Sequence, residues 1–260
     1  MIATPTAESV AELDKVVSHI VYLKDVVVSF DGFKALDVNE FAVHYNDLRV
    51  VIGPNGAGKT TLCDVISGKS RVKSGKVYFN RADVTREPDV EIARRGVGRK
   101  FQTPTVFDTL TVYENMELAL PGRRGVWRNL IARRTIAEHE RIVSLLERVH
   151  LQGDLHTEAR YLSHGRRQWL EISMLIVAEP KLLLVDEPAA GLTDRETELT
   201  AELLLELRGQ HTIIVIEHDM EFVRRLGARV TVLNEGKILA EGSMQEVQSN
   251  PDVIEAYLGR

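Results

Sequence analysis

The residues Gly53-Pro54-Asn55-Gly56-Ala57-Gly58-Lys59-Thr60 fit the spacing Gly-x-x-x-x-Gly-Lys-Ser/Thr and follow directly on the apolar run from Leu48 to Ile52. Glycine permits backbone conformations that aim several N–H groups at one anion, and a helix starting near Gly58 adds the positive end of its dipole. This is the pattern of a phosphate-binding loop, and a nucleoside triphosphate is its natural guest. Lys59 would reach the β- and γ-phosphates as a point charge, while the Thr60 hydroxyl offers one ligand to a magnesium ion. Gly53 through Thr61 are the expected nucleotide-binding stretch.

Two further strand ends carry charge. The apolar run Leu182 to Val185 ends in Asp186-Glu187, and the run Thr212 to Ile216 ends in Glu217-His218. A carboxylate closing a buried strand is costly unless it serves something positive, so Asp186 is read as a magnesium ligand shared with Thr60. Glu187, next along, is placed to act as general base on an attacking water.

The elements that must position these groups alternate. Ile20 to Phe30 reads as a strand, Asp31-Gly32 breaks it, and Ala35 to Leu48 reads as further short strands before the buried strand Leu48 to Ile52. A helix from Lys59 ends near Gly68; Gly75 to Asn80 and Val97 to Gln102 read as strands. From Thr103 to Leu162 the character becomes helical, with Thr111-x-x-Glu114 opening one helix and Ile136 to Val149 forming another. Thr193-x-x-Glu196 opens a helix to about Arg208, Arg229 to Leu239 turns back as a hairpin around Asn234-Glu235-Gly236, and Ser243-x-x-Glu246 and Pro251 begin short helices. Strands alternating with helices around a phosphate loop predict an α/β fold: a P-loop NTPase core with a mostly parallel sheet, a β-rich leading layer and an inserted helical subdomain. Ligands then sit at the strands' carboxyl ends. Expected boundaries are a tail over 1–19, a nucleotide-binding domain over 20–254 (core lobe 20–102 and 172–254, helical subdomain 103–171), and a tail over 255–260.

Composition narrows the classes. The chain has 260 residues, 33 basic against 38 acidic, net −5, with no global attraction for nucleic acid or anionic membrane. Arg123, Arg124, Arg128, Arg133 and Arg134 cluster in the helical stretch and read as a solvated or ordering face rather than a nucleic-acid site. A single cysteine, Cys63, excludes an internal disulfide and reads as packing in a reducing compartment. The charged first nineteen residues lack a secretory core and read as a loose tail, and no run reaches the ~18 apolar residues of a membrane span. The expected location is therefore cytosolic, with any membrane association made through a partner.

The run Leu162-Ser163-His164-Gly165-Arg166-Arg167-Gln168 decides among phosphate-loop families. It resembles the signature of the ATP-binding-cassette family, usually Leu-Ser-Gly-Gly-Gln, and the motif order matches over about residues 20 to 250: Phe30, the phosphate loop, Gln102, Ser163, Asp186-Glu187, Asp194 and His218. The resemblance implies an ATPase with ATP and Mg2+ as cofactors. Two ATP molecules would be sandwiched between head-to-tail subunits, with Ser163 and Gly165 at a helix start reaching the partner's γ-phosphate. It further implies that Gln102 senses magnesium and the attacking water, that His218 contacts the γ-phosphate, that Asp194 lines the subunit interface, and that Phe30 stacks on adenine, with Phe33 as rival.

His164 departs from the usual glycine and adds bulk beside the γ-phosphate. The run Leu162 to Leu175 with Pro180 to Leu184 looks like ATPase subunits of urea uptake systems, and Asn250 to Gly259 looks like the broader group importing branched-chain amino acids and urea. The expected function is the ATP-hydrolysing subunit of a urea importer, with a branched-chain amino-acid importer second. Expected partners are transmembrane permease subunits, a second ATPase subunit and, indirectly, a solute-binding protein, with the chain peripheral on the cytoplasmic face of the cell membrane. A soluble clamp on DNA or ribosomes is the contrasting class; such proteins usually carry two cassettes or long coiled-coil insertions, and this chain has neither. No Asn-Lys-x-Asp motif supports guanine recognition.

Overall fold

A computed structural model describes residues 7–100, 106–121 and 135–258. A helix, α1 (Ala7–Ser18), leads into two long strands, β1 (His19–Phe30) and β2 (Phe33–His44), and then β3 (Leu48–Ile52). After the phosphate loop come α2 (Lys59–Ile66), β4 (Ser74–Phe79), β5 (Ala82–Asp83), α3 (Asp89–Arg94) and β6 (Val97–Lys100). The helical stretch holds α4 (Val112–Ala119), α5 (Ile136–Arg148) and two short 3-10 turns before α6 (His164–Val177). The second half continues with β7 (Leu182–Asp186), α7 (Asp194–Leu207), β8 (Thr212–Ile216), α8 (Met220–Leu226), the hairpin β9 (Arg229–Asn234) and β10 (Lys237–Gly242), α9 (Met244–Gln248) and α10 (Pro251–Leu258).

Two sheets result. An antiparallel sheet runs β2-β1-β4-β5, and a six-stranded sheet runs β10-β9-β3-β8-β7-β6. In the larger one β9, β3, β8, β7 and β6 pair in parallel, and only β10 runs against its neighbour. Its central strands β3, β7 and β8 are buried along their whole length because both faces are covered, and alternate residues sort to opposite cores. Val50, Val185 and Val215 join one cluster with the helices of the second half. Val51, Leu184 and Ile214 join the other with α2 and the antiparallel sheet. This is the fold the alternation of elements predicts.

Four local expectations are corrected. Residues 7–18 are helical rather than a loose tail, because their charges have partners on the antiparallel sheet: Glu12 binds Lys24 at 2.7 Å and the Tyr78 hydroxyl at 3.1 Å, and Lys15 pairs with Glu40. Ala35 to Leu48 is not several short strands; β2 is one strand of 12 residues, kept in register with β1 through an irregularity near Val28. The boundary drawn at 171/172 falls inside the continuous helix α6. Residues 255–258 belong to α10, which buries Val253, rather than to a tail. The reading of Cys63 as packing agrees with its position on α2: it is buried, and burial pushes its thiol pKa up to about 12.

Candidate active site

Three neighbouring parallel strands end side by side. Val51 of β3 and Asp186 of β7 both pair with Ile216 of β8, so the phosphate loop, Glu187 and Glu217-His218 all leave the sheet along one carboxyl edge. The outgoing chains are tied together there: Glu187 N–H donates to the Ile216 carbonyl at 3.0 Å, and Glu217 N–H donates to the Val51 carbonyl at 3.2 Å.

The phosphate loop is braced from outside. A β-carbon on Gly53 would lie 2.2 Å from the Leu233 carbonyl oxygen, and one on Gly58 would lie 2.7 Å from the Ala35 carbonyl oxygen. Gly58 also takes a left-handed conformation, φ 99°, at the start of α2. Gly236, in the β9–β10 turn, donates to the Ala57 carbonyl at 3.0 Å, so the hairpin supports the loop directly. Ala57 is buried, while Asn55, Gly56 and Thr60 are exposed and Pro54 and Thr61 half-buried. The Lys59 ammonium is held over the loop by the Gly53 and Pro54 carbonyls at 2.8 and 3.0 Å. Burial holds its pKa below the ordinary lysine value, against the attraction of Glu187 and Asp186.

Asp186 is buried, and its Oδ1 has no hydrogen-bond partner among the described residues. Desolvation, with repulsion from Glu187, raises its pKa against the pull of Arg99, Lys100 and Lys59. An orphaned carboxylate oxygen at the strand end beside a phosphate loop is what a divalent cation with oxygen ligands would satisfy, so the donor set fits magnesium. Glu187 has positive φ, 48°, an arrangement that costs about 1–3 kcal/mol. Its Oε1 lies 3.5 Å from Nδ1 of the exposed His218.

The signature run opens α6 as its sequence implies. Ser163 is the N-cap and accepts from Arg166 N–H at 3.4 Å. Gly165 is buried against the start of α7, where an added β-carbon would meet Glu196 Oε1 at 2.2 Å. His164 is exposed, beside Gly191 in the loop that follows Glu187. Asp194 is the exposed first residue of α7, capped by Thr193. Phe30 and Phe33 pair with each other at the β1–β2 turn and are both exposed. The expected site residue Gln102 and the cluster Arg123, Arg124, Arg128, Arg133 and Arg134 lie outside the described residues.

Glu217 and Gln168 stand in the sequence motifs without an expected role of their own. Glu217 is buried at the end of an apolar strand, the same signal that singles out Asp186. Gln168 is buried on α6 and donates to the Pro188 carbonyl, directly after Glu187.

A family model described as ABC transporter matches residues 36–190, more than half the chain. The chain belongs to the ABC transporter family. It is accordingly an ATPase that takes ATP with Mg2+ and is one of the family's ATP-binding subunits. A second model, described as branched-chain amino acid ATP-binding cassette transporter, matches residues 237–260. The high-affinity branched-chain amino acid transport ATP-binding protein LivG of Salmonella typhimurium is 37% identical over 243 residues, 90% of this chain and 95% of that protein. The corresponding protein BraF of Pseudomonas aeruginosa is 33% identical, over 92% of this chain and 98% of its own length. Among solved structures, a nucleotide-free ATP-binding cassette from an ABC transporter superposes with a TM-score of 0.80 at 30% identity, covering 93% of this chain and all of that one. These relatives are named for branched-chain amino acid transport, the second of the two expected solutes, and not for urea, the first. No described helix is long and apolar enough to cross a membrane.

Proposed function

We propose that this ABC ATPase powers the import of branched-chain amino acids by closing a head-to-tail dimer on ATP and reopening it after hydrolysis. The observation that carries the catalytic part is the shared strand edge, where Lys59, Asp186-Glu187 and Glu217-His218 leave three adjacent parallel strands. The solute rests on the relatives of this chain and on the match over residues 237–260.

In this reading the loop N–H groups from Gly53 to Thr61 and the Lys59 ammonium hold the phosphates. Asp186 and Thr60, with Gln102, would hold magnesium, which supplies charge neutralisation at the phosphates when bound. Glu187 takes the proton of the attacking water, and His218, beside it, faces the γ-phosphate. Ser163 and Gly165 present the amino end of α6 to the nucleotide of the partner subunit, Asp194 lies at that interface, and Phe30 or Phe33 stacks on adenine. The chain works with transmembrane permease subunits at the cytoplasmic face of the cell membrane, with a second ATPase subunit of the same or a paralogous sequence. A solute-binding protein acts at one remove, and no nucleic acid is involved.

A second reading, urea as the solute, is supported by His164 in the signature and by the run to Leu184. Uptake of labelled leucine and labelled urea, in cells whose native gene is replaced by the Glu187→Gln form, separates the two. Loss of leucine uptake alone is the expected result; loss of urea uptake alone would transfer the solute to the second reading, and persistence of both would refute the importer role for either solute.

A further inference from the structure

The two carboxylates flanking His218 differ in kind. Glu187 is half-exposed, whereas Glu217 is 1% exposed and accepts three backbone N–H bonds. Its Oε1 takes Ala189 N–H at 2.9 Å, and its Oε2 takes His218 N–H at 2.9 Å and Asp219 N–H at 3.2 Å. The same Oε2 lies 3.8 Å from His218 Nδ1. One buried side chain therefore joins the loop leaving β7, two residues after Glu187, to the turn that presents His218.

A carboxylate is costly to bury, and Glu217 recovers that cost through charge-assisted bonds to both loops. The sheet does not need it, since the backbone bonds of Glu187 to Ile216 and of Glu217 to Val51 already hold the strand ends. The β7 loop is gripped from the other side as well, where Gln168 of the signature helix donates to the Pro188 carbonyl. The peptide group joining Pro188 to Ala189 is thus held at both ends, its carbonyl by the signature helix and its N–H by the residue that leads into the His218 turn.

We propose that Glu217 is a positioning residue for ATP hydrolysis, setting the Glu187 loop and the His218 imidazole as one unit. This rests on the reading of Glu187 and His218 as the catalytic pair. A glutamine at 217 has one acceptor oxygen instead of two, so it can satisfy Ala189 or the His218–Asp219 turn but not both. The link is cut at nearly constant volume.

The test uses the full-length chain and steady-state ATP turnover of the wild type, Glu217→Gln, His218→Ala, their double variant and Glu187→Gln. Glu217→Gln is expected to lower kcat about 10- to 100-fold with KM for ATP within about twofold, because the phosphate loop is untouched. The double variant should be no slower than His218→Ala alone, since residues acting as a unit are not additive. Backbone amide exchange in 189–192 and 218–219 should speed up in Glu217→Gln.

Normal kcat in Glu217→Gln, alongside loss in Glu187→Gln and His218→Ala, would overturn this proposal alone. Losses that multiply in the double variant would also overturn it. Wild-type turnover in Glu187→Gln and His218→Ala would overturn the catalytic reading and the proposal together. Should Glu217→Gln fail to fold, Glu217→Asp, which keeps the charge but is one methylene shorter, must show the same fall in kcat at unchanged KM.

Discussion

The carbonyl oxygen of Leu233 occupies the space that a side chain on Gly53 would need, 2.2 Å from the position of its β-carbon. The start of the phosphate loop is therefore shaped by the β9–β10 hairpin as well as by its own glycines. Gly53→Ala should push the loop off Leu233 and lower both ATP affinity and stability. A loss of about 1–3 kcal/mol, the usual range for overpacking, is expected by chemical denaturation. Gly56→Ala meets no atom within 4 Å and carries only the strain of φ 79°, so it should be the milder of the two. Equal effects would mean that the hairpin does not brace the loop.

Lys59 is buried and bonded to its own loop, so its removal costs contact with nucleotide more than it costs the fold. Lys59→Ala should weaken ATP binding by about 100-fold or more, roughly 2.7 kcal/mol, in a calorimetric titration. Unchanged affinity would remove the lysine from the phosphate site.

Asp186 has its pKa raised above the ordinary value of 3.8, chiefly by desolvation. The folded state then holds this proton to higher pH than the unfolded chain does. Its stabilising contribution is complete below the ordinary carboxylate range and is lost as pH rises through the raised pKa. Above that raised pKa the nucleotide-free protein carries a poorly satisfied buried carboxylate. Asp186→Asn should raise Tm there, by about 2–4 °C for each kcal/mol relieved, and the gain should vanish at acid pH. The same substitution should abolish the magnesium dependence of ATP binding, measured by titration with and without the ion.

Much of the larger sheet was legible in the chain because its central strands are short, largely apolar and closed by unusual residues. Leu48 to Ile52 and Thr212 to Ile216 coincide with β3 and β8, and the capping boxes expected at Thr111, Thr193 and Ser243 form with their reciprocal bonds, as does a fourth at Thr135 that was not among those expected. The residues misread were those whose meaning depends on distant partners. Glu12 and Lys15 look like solvated charge until β1, β2 and β4 supply Lys24, Glu40 and Tyr78. Glu217 was overshadowed by His218, although a carboxylate closing an all-apolar strand is as informative there as at Asp186. The contact Gln168 makes could not be read from its place in the signature, because its partner, the Pro188 carbonyl, is a backbone group twenty residues away on another element.

The central claim is that Glu187 performs the proton transfer of ATP hydrolysis from the strand edge it shares with the phosphate loop. The direct measurement is single-turnover ATP hydrolysis by the Glu187→Gln protein, with ATP binding and oligomeric state followed in the same samples. ATP affinity within a few-fold of wild type, hydrolysis slowed by about 10²–10⁴, and accumulation of an ATP-bound dimer are the predicted result. Hydrolysis at the wild-type rate with normal ATP binding would contradict the account.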